Sequence, residues 1–201
     1  LIAAGGVVVA WLAGVRAKFF TISGIAMLAL LPIAISFLKP YQKSRILTFL
    51  NPERDPLGAG YQIIQSKIAI GSGGLFGKGF LNGSQSYLDY LPEKHTDFIF
   101  TLFSEEFGFF GSLFILLLYA LIISRIIKIG NLTRSNFGKL YCYSFATAFF
   151  IYVVVNMMMV LGLLPIVGSP LPIMSYGGSS MMAIMFGLGI VMSCKIYKDV
   201  P

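Results

Sequence analysis

The stretch "LPEKHTDFIFTLFSEEFG", Leu91 to Gly108, holds the only histidine of the chain, His95, together with the carboxylates Asp97, Glu105 and Glu106. A carboxylate within hydrogen-bond reach of a hydroxyl can take its proton, and it can also ligate a hard cation. Asp97 is the strongest candidate because the apolar run begins directly after it. An acid in the first turn of a helix is stabilised by the positive end of the helix dipole, and the same field favours its ionised form. Helix capping and chemistry are therefore compatible readings of Asp97. If the helix is continuous from Asp97 to Phe107, it lifts Asp97 about 15 Å above the apolar core, to headgroup level. Glu105 and Glu106 lie lower, at the interface, and read as structural partners of loop N–H groups or lysines.

The elements that must position Asp97 follow from composition. The chain is 57% hydrophobic and only 11% charged, with mean hydropathy +0.83. Its apolar residues come in long runs, which excludes an ordinary soluble domain and predicts an all-α polytopic membrane protein. Five transmembrane segments are expected, at about 1–15, 19–38, 107–127, 140–164 and 176–194, within a single membrane domain. The first, "LIAAGGVVVAWLAGV", lacks a basic n-region and reads as the remainder of a helix of a longer protein. The net charge of +7 is spread along the chain without a long Lys/Arg cluster, so it reflects topology rather than nucleic-acid binding. Arg16 and Lys18, then Arg125, Lys128, Arg134 and Lys139, then Lys195 and Lys198, mark one side as cytoplasmic. The uncharged connection Leu164 to Ser175 and the long loop Lys39 to Thr96 then lie outside, with the C-terminus in the cytoplasm. Cys142 and Cys194 have no framework around them and read as free thiols.

The long loop carries structural signals. Asn51-Pro52 and Asp55-Pro56 each pair a cap residue with proline at the first helical position. Ile64 and Ile68 recur at helical spacing, predicting a short interfacial helix over Tyr61–Ile70 that Gly71 ends. "GSGGLFGKGFLNGS" then forms an irregular loop. Its backbone N–H groups, with Lys67 and Lys78 nearby, would suit a diphosphate. Gly71, Gly73 and Gly74, and later Gly177 and Gly178 in "LPIVGSPLPIMSYGGSS", are expected to serve backbone geometry. "NMMMV" reads as a helix-packing surface.

Other chemistries fit poorly. "GSGGLFGKG" lacks the Gly-Lys-Ser/Thr ending of a nucleotide loop. Asn82 and Asn131 open glycosylation sequons of the kind that arise by chance. A rhomboid-type serine protease needs histidine on a membrane helix, and His95 is in a loop.

Three segments together, "NPERDPLGAGYQIIQSKIAIGSGGLFGKG", "LPEKHTDFIFTLFSEEFG" and "LPIVGSPLPIMSYGGSS", resemble the SEDS (RodA/FtsW) family, named for shape, elongation, division and sporulation. Their wording is closer to the RodA branch, and the resemblance covers nearly the whole chain. It implies the C-terminal half of a bacterial inner-membrane SEDS protein, a peptidoglycan glycosyltransferase that polymerises lipid II for cell-wall elongation. It also implies a class B penicillin-binding protein as transpeptidase partner, within the elongation complex.

In that family the Asp of "HTDF" is essential, which here is Asp97. It would act as base on the acceptor hydroxyl. A second role is holding a divalent cation, Mg or Mn, against the diphosphate leaving group. Lys67, Lys78, Lys94 and His95 are candidates for binding the substrate. The alternatives are a lipid II flippase and a non-catalytic scaffold that activates the cross-linking enzyme. A flippase needs charge along a path through the bilayer, and the apolar cores here hold no acid.

Overall fold

The computed structural model describes residues 2–36, 39–51, 58–83 and 95–197. Among them the protein is all-helical: α1 Ile2–Leu12, α2 Ala17–Ser36, α3 Pro40–Leu50, α4 Ala59–Ser72, α5 Ile99–Leu132, α6 Asn136–Val160 and α7 Gly178–Ile196. By length and composition α5, α6 and α7 can each cross a membrane, and α2 contributes a shorter apolar run, Ala17–Leu30. The helix α5 and its antiparallel neighbour α6 form the central pair, with α4, α7 and α1 packed around them. Phe98, Phe100, Tyr119, Phe149, Val153 and Met159 make the core.

α3 is a helix that the loop's punctuation conceals. Pro40 stands in its first turn, where a missing N–H costs nothing, and Gln42 Oε1 accepts the Lys39 N–H at 3.0 Å. Asn51 caps the C-terminus of α3. The helix starts expected at Pro52 and Pro56 lie outside the described residues. α4 covers the expected interfacial segment but runs through Gly71 to Ser72, with Gly73 as its cap. Gly71 therefore sits inside the helix and does not end it. The buried face of α4 is Ile63, Ser66 and Ala69, whereas Ile64 and Ile68 point outward. Ser66 explains that choice. Its hydroxyl donates to Val160 O and shares a 2.7 Å bond with Thr101 Oγ1, tying α4 to both central helices.

α5 is not continuous. Gly108 has φ 66 and ψ −161, so a short helix, Ile99–Phe107, is joined to a long one at a break. In an unbroken helix the N–H groups of Phe109 and Phe110 would meet the carbonyls of Glu105 and Glu106. Instead the glycine-rich loop takes all four groups. Lys78 N–H and Gly79 N–H donate to Glu105 O and Glu106 O, each at 3.0 Å. Phe109 N–H and Phe110 N–H donate to Gly74 O and Leu75 O, at 2.9 and 3.2 Å. The loop is spliced into the helix ladder, and these four groups find partners there. Glycine is required by contact: a Cβ on Gly77 would stand 2.1 Å from Glu106 O, and one on Gly108 would stand 2.3 Å from Gly77 N.

The loop N–H groups expected to suit a diphosphate are thus used inside the protein. Lys78 is engaged as well, its ammonium 2.6 Å from the carboxylate of the fully buried Glu105. Removing one partner of such a pair leaves a buried charge uncompensated. Lys78→Ala is expected to destabilise the protein by about 3 kcal/mol, the low end for buried pairs because Lys78 is part-exposed. Adding Glu105→Gln should recover most of that loss. Thermal melting of the purified protein checks this, and a Lys78→Ala variant that melts like wild type refutes it.

Candidate functional site

Asp97 lies in the turn 95–98, before α5 begins. The N-cap is Phe98, which offers no side-chain bond, so Asp97 stands one residue outside the position a capping acid would hold. It is half-buried, not freely exposed. What holds it is its main chain. Three successive carbonyls of the turn each accept one bond from the other side of the bundle. His95 O accepts from Tyr176 N–H at 2.9 Å. Thr96 O accepts from the Ser175 hydroxyl at 2.6 Å, and that hydroxyl itself accepts from Leu171 N–H. Asp97 O accepts from the Asn156 amide at 2.9 Å. The turn is therefore clamped to the end of α6 and to the irregular segment leading into α7.

Asn156 is the residue that sequence reasoning missed. It stands at the head of "NMMMV", whose Met157 and Met159 are core residues as expected. Asn156 is fully buried, and its amide also donates to Ser169 O at 2.6 Å. The available signal was a lone amide inside an apolar helical run, which must find partners away from its own helix.

The Asp97 carboxylate faces Gly168: Oδ2 is 3.4 Å from where a Cβ on that glycine would stand. The same connection collects two cations. Arg45 of α3 donates to Ile166 O at 2.8 Å. Lys67 of α4 lies over Gly162, its Nζ 2.8 Å from an added Cβ there. Ile166 and Gly168 are two residues apart, so their Cα atoms are within about 7 Å. Arg45 and Asp97 thus touch the same short segment, residues 166–168. Arg45 was not singled out from sequence, and its place depends on α3, which was not foreseen.

His95 is exposed and lines a cavity of about 710 Å³ with Ser175, Tyr176, Gly177 and Gly178. Ile173 in its wall has φ 69, a strained conformation for a β-branched residue. Lys94 lies outside the described residues. At the opposite end of the bundle Arg125, Lys128 and Lys195 line a second cavity. Among the described residues no three of His, Cys, Asp and Glu converge on one point. Cys142 and Cys194 are free thiols in contact with one another.

The comparisons agree with this architecture. Peptidoglycan glycosyltransferase MrdB of Escherichia coli K12 is 48% identical over 199 residues, covering 98% of this chain and 54% of that protein. Peptidoglycan glycosyltransferase RodA of Treponema pallidum is 47% identical over 161 residues, covering 80% and 37%. A solved peptidoglycan synthase complex, described as coordinating polymerization and crosslinking, superposes with TM-score 0.80 at 33% identity. That match covers 98% of this chain and 54% of the solved one. The chain spans about half the length of the curated relatives it matches. The family model for the cell cycle proteins FtsW, RodA and SpoVE matches residues 1–199, and with the helical bundle and the clamped "HTDF" turn in view, the chain belongs to that family.

Proposed function

We propose that these helices form part of a peptidoglycan glycosyltransferase that polymerises lipid II on the outer face of the bacterial inner membrane. The observation that carries this reading is the Asp97 carboxylate, held at one end of the bundle against a connection that also gathers Arg45 and Lys67. The names of the relatives support the same activity.

In the reaction the acceptor hydroxyl attacks the anomeric carbon of the lipid-linked strand. Its proton passes to the Asp97 carboxylate as the bond from that carbon to the diphosphate oxygen breaks. The leaving diphosphate carries away the bonding electrons, and Arg45 and Lys67 are placed to counter that charge. His95 lines the neighbouring cavity, where the acceptor sugar would enter. A divalent cation fits this donor set only as a shared ligand. Mg²⁺ takes one or two carboxylates together with substrate phosphates, so Asp97 would hold it and it would neutralise the leaving group. A class B penicillin-binding protein is the partner that this reading requires for cross-linking.

The basic end, with Arg125, Lys128 and Lys195, is assigned to the cytoplasm and the Asp97 end to the outside. A reporter active only in the periplasm, fused after Pro201, is expected to stay silent. Activity there would reverse the orientation.

Asp97→Asn separates the polymerase from its two rivals. The neutral isostere should abolish glycan synthesis by the full-length protein with its partner, while partner binding persists. Glycan synthesis at wild-type rate would point to a scaffold. Loss of lipid II transport across vesicles with polymerisation intact would point to a flippase.

A further inference from the structure

We infer that Asn156 is a positioning residue for Asp97, setting the place of its carboxylate through the main chain; this rests on the polymerase reading of Asp97. Asn156 lies in α6, 59 residues along the chain from Asp97, and its one amide nitrogen bonds both Asp97 O and Ser169 O. Both partners are carbonyls, so the donor identity of that nitrogen follows from chemistry. The arrangement spans the site. Ser169 is next to Gly168, the residue the Asp97 carboxylate faces, and Asp97 O is the main-chain atom of the acid itself. A single planar group therefore sets the distance between the acid and the wall opposite it.

A role in folding alone accounts poorly for this group. Asn156 Oδ1 and Ser169 Oγ are both buried and, among the described residues, both without a hydrogen-bond partner. Each such atom costs about 1–3 kcal/mol. An apolar residue of the same shape would remove the first of these costs but leave Asp97 O and Ser169 O without this donor. It could not join the turn 95–98 to the connection before α7. The other two bonds of the turn, from Ser175 and Tyr176, fix the residues before Asp97. Asn156 bonds the carbonyl of Asp97 itself. The amide thus ties the acid to the wall opposite it, a link that no apolar residue could make.

The test uses the full-length protein purified with its transpeptidase partner and lipid II as substrate. Asn156→Leu conserves volume, and Asn156→Ala removes it. Both are expected to lower kcat about 10²-fold, the scale for a catalytic group displaced by about 1 Å. KM should stay within about twofold, since Asn156 does not touch substrate. Asn156→Leu leaves Asp97 O and Ser169 O without this donor, so a lower melting temperature is expected and rates are compared where each complex stays folded. Combined with Asp97→Glu, Asn156→Leu should reduce kcat no further than the worse single variant, because both act on one carboxylate. Wild-type kcat in Asn156→Leu overturns the inference. So does a raised KM at constant kcat, or multiplicative losses in the double variant. If instead Asp97→Ala polymerises lipid II normally, the polymerase reading of the site fails, whatever Asn156 does.

Discussion

Alanine at position 97 is expected to lower lipid II polymerisation by the full-length protein about 10²-fold or more, with little effect on folding. Loss of a general base costs about 10²–10⁴ in rate. The lower bound corresponds to about 2.7 kcal/mol of transition-state stabilisation. The stability change should be much smaller. The clamp on the turn runs through the carbonyls of His95, Thr96 and Asp97, and alanine keeps all three. One hydrogen bond to the carboxylate would be worth about 0.5–1.5 kcal/mol. Asp97→Glu sharpens the test. The clamp holds the main chain still, so the added methylene must carry the carboxylate away from its present place beside Gly168. At least a tenfold loss is expected, because a fixed base cannot follow its proton. Glycan synthesis at wild-type rate by Asp97→Ala, measured with the partner present, would reduce Asp97 to a structural turn residue.

The second large effect concerns stability. Gly77→Ala and Gly108→Ala should each destabilise the protein by at least about 3 kcal/mol. A non-glycine residue at positive φ costs about 1–2 kcal/mol, and Gly77 and Gly108 have φ 81 and 66. The new Cβ would also push apart backbones that now exchange four hydrogen bonds, each of net value about 1 kcal/mol. Gly71→Ala is the control. Its Cβ would meet nothing within 4 Å, and it lies inside α4, so alanine should be neutral or stabilising by up to about 1 kcal/mol. Melting temperatures and resistance to proteolysis of the three variants would show the split. Equal behaviour of all three would mean that the spliced loop carries no stability.

The outline of the fold was legible because long apolar runs have one physical solution in a bilayer. The helical nature of the segments around Phe107–Ile127, Leu140–Leu164 and Tyr176–Cys194 follows from that alone. Asp97 was legible too, as an acid placed where apolar sequence begins. The break at Gly108 was not. "EEFGFF" looks like uninterrupted helix, and what stabilises the break is a loop some 30 residues earlier, invisible to any local pattern. The glycines of "GSGGLFGKG" announced a special backbone but not its use, because a close approach to another chain segment and a cradle for phosphate ask for the same residue. α3 was hidden by Pro40, which marks a helix start as readily as a loop. Asn156 was passed over because three methionines follow it, and its partners lie in segments that come together only in the folded bundle.

The spliced break also bears on how the chain is made. A continuous apolar helix can pass into lipid with its backbone already satisfied. Phe109–Leu132 qualifies by itself, since at 1.5 Å per residue it rises about 36 Å. The stretch from Glu105 to Phe110 does not. With the break at Gly108, Glu105 O, Glu106 O, Phe109 N–H and Phe110 N–H are satisfied by the loop Gly74–Gly79 and not by their own helix. That loop precedes in the chain the segment it completes. The broken form of α5, with the short helix that follows the Asp97 turn, therefore exists only together with a loop some 30 residues earlier. The glycine-rich loop serves as a template that the chain supplies to itself.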